Sequence, residues 1–265
     1  VGALAVPGLT ATKRPTHVFD LIRELVTRDV RLRYRGTVLG VAWSQIAWLA
    51  QVAMLAFVFG RVVPLGVEDY PAFVLVGMLA WVWFSGGLAG ATASVVANAD
   101  LIRRPGFPGA LLPVVAVAGE LVQYVLALPV VLLALVLYLG GVPGTVVALP
   151  VVMVVQVLVM LGPALGLGAL HVRYRDTAHL VGVGLAVLFY ASAVFFPRAA
   201  VPARYRTPLG LNPVVRLVEA YRSLLLDGRW PAWRALGLVA LAGTAVTAAG
   251  FAFFRAKEPE FPDEL

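Results

Sequence analysis

At 265 residues the chain has the length of one or two soluble domains, yet it is 61% hydrophobic and only 13% charged, with a mean hydropathy of +0.90. Soluble domains carry about a quarter charged residues, so a water-facing globule is excluded; with no cysteine, so are a disulfide framework and a thiolate metal site. The formal charge of +7 sits on arginines at the borders of apolar runs rather than along one soluble face, which favours anionic lipid headgroups over nucleic acid as partners.

Residues 1–15 mix Gly, Pro, Thr and small apolar residues and read as a flexible cytoplasmic tail. Over 16–36, Val18, Leu21, Ile22, Leu25, Val26, Val30 and Leu32 recur at mostly helical spacing, with Arg23, Glu24, Arg28, Asp29, Arg31 and Arg33 on other faces. This predicts an amphipathic helix, too charged to cross a bilayer, that lies along its surface. Six apolar runs follow, at 38–59, 72–95, 113–139, 146–170, 180–196 and 235–254. Runs of about 20 residues match a hydrocarbon core of about 30 Å. The expected fold is an all-α polytopic membrane protein: an N-terminal interfacial helix, six transmembrane helices within 37–255, and short external re-entrant helices at 197–233 before the last span. Pro129 in the third span, and Pro150 and Pro163 in the fourth, predict kinks.

Lys and Arg collect on the cytoplasmic side of membrane proteins. Lys13, Arg14, Arg23, Arg28, Arg31, Arg33 and Arg35 therefore place the N-terminal stretch there, and an even span count returns Arg255, Lys257 and the tail 256–265 to the same side. The loops bearing Arg103 and Arg104, then Arg173 and Arg175, agree; the loops with Arg61, Glu68 and Asp69, and the uncharged 140–146, lie outside. The stretch 197–233 breaks the pattern, because Arg198, Arg204, Arg206, Arg216, Arg222 and Arg229 crowd an external loop. Within it, 214–226 has helical periodicity and reads as a helix dipping back toward the membrane. Its arginine excess signals either an anion site or a different topology.

Little in the chain suggests catalysis. No G-x-x-x-x-G-K-[ST] phosphate loop is present and the only lysines are Lys13 and Lys257, so ATP-driven work requires a partner chain. His17, His171 and His179 lack the convergent spacing of a metal site and read as structural or solvated. Glu120, Gln123 and Tyr124, with Gln51 and Gln156, fall inside spans, where polar groups either pair between helices or line a substrate path. The basic string ending in Arg31, Arg33 and Arg35, turning at Gly36 into a span that carries Trp43 and Trp48, has two readings. It is either a positive-inside anchor or a cationic rim that gathers an anionic lipid-linked substrate through guanidinium–phosphate pairs.

Four strings in order carry a resemblance: residues 28–43, RDVRLRYRGTVLGVAW; 100–108, DLIRRPGFP, with Leu112 and Pro113; 173–176, RYRD; and Asn212-Pro213 followed by Glu219-Ala220-Tyr221-Arg222 and Leu225. Together with six spans they resemble the ABC-2 type permeases that export cell-surface polysaccharides such as O-antigen, teichoic acid and galactan. The resemblance implies a permease subunit of an ATP-driven exporter, moving a lipid-linked polysaccharide across the bacterial inner membrane, with both termini cytoplasmic. It further implies a homodimer docked on two nucleotide-binding ATPase subunits that bind the ATP and Mg, with no cofactor in this chain. The loop 99–112, through Asp100, Leu101, Ile102, Arg103, Arg104 and Phe107, is the expected ATPase contact; where the family commonly carries charged residues after it, this chain has Gly109-Ala110. Pyranose faces stack on aromatic rings, so Trp43, Trp48, Gln51, Trp81, Trp83, Phe84, Phe189, Tyr190 and Phe196 are the expected substrate path. Arg31, Arg33 and Arg35 on the inner side, with Arg216 and Arg222 on the outer, are the expected headgroup sites. Two other readings stand beside this one: an ABC-2 permease for a drug or small lipid, and a membrane-embedded lipid-modifying enzyme, for which clustered acids, bases or metal ligands are missing.

Overall fold

The computed structural model describes residues 15–34 and 42–265, with side chains at 20–29 and 42–265. The expected tail 1–14, the turn at Gly36 and the first residues of the first span lie outside the described residues, as do Arg35 and the side chains of Arg31 and Arg33. Helices α1 (Pro15–Tyr34), α2 (Ala42–Phe57), α3 (Tyr70–Ala97), α4 (Ala99–Ile102), α5 (Leu111–Leu139) and α6 (Leu149–Arg173) come first. They are followed by α7 (Thr177–Tyr190), α8 (Ala203–Leu211), α9 (Pro213–Leu225), α10 (Trp233–Lys257) and α11 (Phe261–Glu264). No strand occurs among the described residues.

Five of these helical segments are long and apolar enough to cross a membrane: α2 with its continuation Val58–Val62, α3, α5, α6 and α10. The fifth expected span differs. Helix α7 has 14 residues, about 21 Å at 1.5 Å per residue, and 191–196 continue without regular helix. Pro150 also departs from expectation. It sits in the first turn of α6, where its missing N–H has no helical partner to lose, so it starts the helix instead of kinking it. Pro129 and Pro163 do lie within helices.

Helix α3 runs through the centre. It packs against α2, α5, α6, α7 and α9 and is accordingly apolar on every side, with Val74, Val76, Met78, Trp83 and Val95 almost fully buried. Lipid tails are as apolar as leucine, so helices in a bilayer associate through close packing and hydrogen bonds more than through the hydrophobic effect. The α6–α10 contact follows that rule. A Cβ at Gly162 would meet the backbone of Val246 and Thr247, one at Gly243 the backbone of Leu158, and one at Gly250 the carbonyl of Gly162. The resulting approach lets Thr247 Oγ1 donate to Leu158 O at 2.8 Å. Polar bridges join other spans: Gln156 Nε2 donates to Ala80 O at 3.0 Å, and Ser44 Oγ to Gln123 Oε1 at 3.1 Å.

The helices alternate between two ends of the bundle. At one end, Arg28 of α1 bonds Asn98 at 2.9 Å, Gly109 N donates to Glu258, and Arg173 pairs with Glu264. At the other, Thr145 Oγ1 donates to Leu224 O at 2.7 Å and Tyr70 Oη to Phe195 O at 2.5 Å. Helix α1 and the residues after α10 thus share an end, as an even number of crossings requires.

The glycine contacts predict a measurable asymmetry. Gly162→Val and Gly250→Val are expected to lower the thermal stability of the detergent-solubilised protein by about 1–3 kcal/mol, the usual range for overpacking. Gly237→Val, on the same helix α10 but with open space around it, is expected to leave the melting temperature unchanged.

Candidate functional site

The interruption after α7 organises the far end of the bundle. Ser192, Ala193 and Val194 are almost completely buried, and Ala193 takes a left-handed conformation with φ 52°, uncommon for a residue with a side chain. The segment abuts Gly77, seven residues into α3, about 10 Å along that helix. Non-helical backbone at such depth is tolerated only where protein satisfies its polar groups.

Three side chains do so. Arg222 of α9 donates from Nη1 to Ala193 O at 2.8 Å, from Nη2 to Val194 O, and from Nε to Phe73 O at 3.3 Å. Asn212 donates from Nδ2 to Ala191 O at 3.0 Å and to Ser192 Oγ at 3.1 Å, while its Oδ1 caps α9 by accepting from Val214 N at 2.9 Å. Tyr70 supplies the third donor, to Phe195 O. The guanidinium of Arg222 lies 3.4 Å from the Phe73 ring centroid, a cation–π contact. A guanidinium is not deprotonated in proteins, so Arg222 is a buried cation whose charge is met by carbonyl oxygens and by the ring face. Gly77 makes room for the arrangement, since a Cβ there would run into Val194 O and stand 2.6 Å from Arg222 Nη2.

Much of the arginine excess in 197–233 has the same use. Arg206 donates from Nε to Val201 O at 2.7 Å and from Nη2 to Ala199 O at 2.6 Å. Arg198 reaches Arg206 O at 2.9 Å and Arg216 reaches Gly210 O at 2.9 Å, and both also bond Glu219, at 3.4 and 3.3 Å. Short helices leave many carbonyls without a helical partner, and these forks bind them together. Arg198, Arg216, Glu219, Arg222 and Asp227 also line a cleft of about 360 Å³ beside the start of α10. Of the two expected outer headgroup residues, Arg222 is only 8% exposed with three of its donors on carbonyls, whereas Arg216 is half-buried at the cleft.

The expected path residues fall into two sets. Trp48, Trp81, Trp83 and Phe84 are buried within the bundle; the Trp83 ring packs 4.8 Å from Tyr124, and Phe189 meets Trp81 at 5.5 Å. These rings are core of a single chain. Trp43 (55% exposed), Gln51 and Tyr190 (66%) face outward. Around Tyr190 the rings form a continuous cluster: Phe189 at 5.4 Å, Phe195 at 5.7 Å, Phe196 at 5.1 Å from Phe195, and Phe59, in the Val58–Val62 continuation of α2, at 5.4 Å from Phe195. Phe59, Tyr70 and Gly77 were not singled out from the sequence; their part depends on long-range contact with 191–196, which no local spacing signals.

At the opposite end the expected ATPase-contact residues divide likewise. Asp100, Arg103 and Arg104 are exposed, Leu101 and Phe107 partly buried. Ile102 points inward, into a cluster with Val95, Leu112, Leu165, Val172, Phe254 and Phe261, which corrects its expected place on the contact surface: an isoleucine on a single exposed turn is stabilised by burial beneath it. Gly109 is explained by the same packing, because a Cβ there would stand 2.9 Å from Ile102 Cδ1 and 3.0 Å from Glu258 Oε1. Among the described residues no group of three or more His, Cys, Asp or Glu is placed to hold a metal ion.

These features define a polytopic α-helical membrane protein with one interrupted crossing and an aromatic outer face. The chain belongs to the ABC-2 type transporter membrane family, whose profile matches residues 20–226. It is similar to the O-antigen export system permease protein RfbA of Myxococcus xanthus, 29% identical over 247 residues, covering 92% of this chain and 95% of that protein. An O-antigen export permease RfbA of Klebsiella pneumoniae is 24% identical over 250 residues, 94% and 96% of the two chains. The polysialic acid transport protein KpsM of Escherichia coli is 24% identical over 244 residues, 89% and 93%.

Removing the Arg222 fork leaves the non-helical carbonyls of Ala193 and Val194 without donors, each costing about 1–3 kcal/mol when buried, while Phe73 O keeps its place in helix α3. Arg222→Gln is therefore expected to cut stability strongly and Arg222→Lys nearly as much, because an ammonium lacks the planar fork. Arg206→Gln, whose carbonyl partners lie on exposed backbone, is expected to have a small effect. Gly77→Ala is expected to destabilise too, and the double variant Gly77→Ala/Arg222→Gln to fall short of the sum of its parts, as a shared contact requires. Thermal melting of the five purified variants checks this.

Proposed function

We propose that the chain is the membrane subunit of an ATP-driven exporter that carries a lipid-linked cell-surface polysaccharide across the bacterial inner membrane. The observation that carries the reading is similarity along almost the whole chain to permeases named for O-antigen and polysialic acid transport. Two copies pair, and each docks on a nucleotide-binding subunit that holds ATP and Mg.

Chemistry supports the same reading. The exposed Trp43, Gln51 and Tyr190, with the partly buried Phe59, Phe195 and Phe196 of the Tyr190 cluster, offer apolar rings and an amide. Sugar rings present apolar faces and many hydroxyls, so such a surface gives many weak contacts, and weak contacts let a polymer slide. Arg31, Arg33 and Arg35, on or just after a surface helix, gather the lipid phosphate at the cytoplasmic side, since guanidinium pairs with phosphate bidentately. Arg216 meets it at the cleft on the other side. Arg222 acts through the backbone it holds and not through the headgroup. The ATPase meets the exposed Asp100, Arg103 and Arg104.

The test uses the chain with its cognate ATPase subunit, identified from the adjoining genes. The purified chain alone is expected to show no ATP turnover, and the complex to show it. In cells, Arg35→Gln is expected to reduce surface polymer by about tenfold, since a charge-assisted contact contributes roughly 1.5–3 kcal/mol, and Tyr190→Ala to reduce it less, as the loss of one weak apolar contact, while the yield of complex stays unchanged. Normal surface polymer in cells lacking the chain would overturn the proposal.

A further inference from the structure

The residues after α10 do more than end a helix. Glu258 Oε1 accepts from Gly109 N at 2.6 Å, while its Oε2 pairs with Arg255 at 2.9 Å. Phe261, 1% exposed, packs edge-on against Phe254 at 5.2 Å and joins Ile102, Leu112, Leu165 and Val172 in one apolar cluster. Glu264 then pairs with Arg173 at 3.4 Å and its carbonyl accepts from Arg175 at 3.5 Å. Glu260 is held to Lys257 at 2.9 Å and stands 3.9 Å from Arg173.

Residues 258–264 therefore touch three separate parts of one end of the bundle: the loop after α4, the end of α6, and α10 itself. The α4 loop is otherwise held by its own turn hydrogen bonds and by Leu101 and Phe107 packed on the same cluster. Helix α4 is a single turn, and residues 103–106 are exposed. What anchors the loop is Ile102 inserted below it and the Gly109 amide held from the side, and both anchors are provided in part by this segment. A Gly at 109 is what allows that approach, since a Cβ there would stand 3.0 Å from Glu258 Oε1.

We infer that residues 258–264 form a strap that fixes the α4 loop to the ends of α6 and α10, with Glu258 and Phe261 as its two positioning residues. Resting on the exporter reading, the strap is the element through which displacement of the ATPase-facing loop is passed to the spans. A loop held on both sides transmits a push; a loop held on one side yields to it. Loss of the strap therefore uncouples the exporter, with ATP hydrolysed and polymer left behind.

Two arms decide this. In the purified chain, hydrogen–deuterium exchange is measured over residues 99–110 and 173–176 for Phe261→Ala and Glu258→Gln, the second keeping side-chain size and the apolar cluster. Faster exchange in 99–110, with α3 and α5 unchanged, is expected for both; unchanged exchange there overturns the strap whatever the chain transports. In the complex with its ATPase subunit, ATP hydrolysis, surface polymer and complex yield are measured together. The expected result is polymer per ATP reduced by about tenfold, the scale of one charge-assisted hydrogen bond, at unchanged complex yield. Polymer and hydrolysis falling in proportion, or neither changing, would make the segment merely structural. Should the native chain export no polymer with its ATPase, the exporter reading fails while the exchange arm still decides whether the strap exists.

Discussion

Inside a hydrocarbon layer a backbone carbonyl has no water to turn to, and this constraint shapes the most irregular part of the molecule. A continuous helix satisfies its own carbonyls; a broken one must borrow donors. Helix α7 stops after 14 residues, and the carbonyls of Ala191, Ala193, Val194 and Phe195 are met by Asn212, Arg222 and Tyr70. Arginine suits this task because its planar fork presents several N–H groups in fixed directions and stays charged when buried. Helix α9 is thereby tied to the crossing it covers, and α3 must carry Gly77 at the point of contact.

The break has a functional consequence. By leaving the helix at Tyr190, the chain turns Phe195 and Phe196 toward Phe59 and Tyr190, so rings from the continuation of α2, from α7 and from the following segment meet in one cluster whose exposed member is Tyr190. A continuous helix would spread the same residues around its circumference. The opposite end solves a related problem with different means. There a one-turn helix and its loop are held by a strap whose anchors are an apolar ring and a carboxylate. Both ends thus depend on residues distant in sequence clamping short backbone segments that lack regular secondary structure.

Most of the architecture was legible in the sequence because the membrane imposes it. Apolar runs near 20 residues gave α2, α3, α5, α6 and α10 to within a few residues, and the periodicity of 214–226 gave α9 (Pro213–Leu225). The short α7 was not legible. Its run of apolar residues continues through Val194 to Phe196, and hydropathy does not register that the backbone leaves the helix. The arginines of 197–233 were puzzling for the same reason: charge patterning counts side chains and is blind to carbonyls, which are what Arg198, Arg206, Arg216 and Arg222 engage. Asn212, prominent in the motif, became intelligible only through its bonds to Ala191 and Ser192, and Glu219 through its pairs with Arg198 and Arg216. Trp81 and Trp83, expected on a sugar path, are packed within the single chain, a placement that aromatic composition does not reveal.

The central claim is that the crossing begun by α7 is finished by unwound backbone held by Arg222. Solid-state NMR of the protein in lipid bilayers, with ¹⁵N in arginine side chains and ¹³C at the carbonyls of Ala193 and Val194, tests it without altering the chain. Close dipolar contact from the Arg222 guanidinium to both carbonyls is expected, together with non-helical chemical shifts across 191–196. Helical shifts through 196, with no guanidinium contact, would contradict the account.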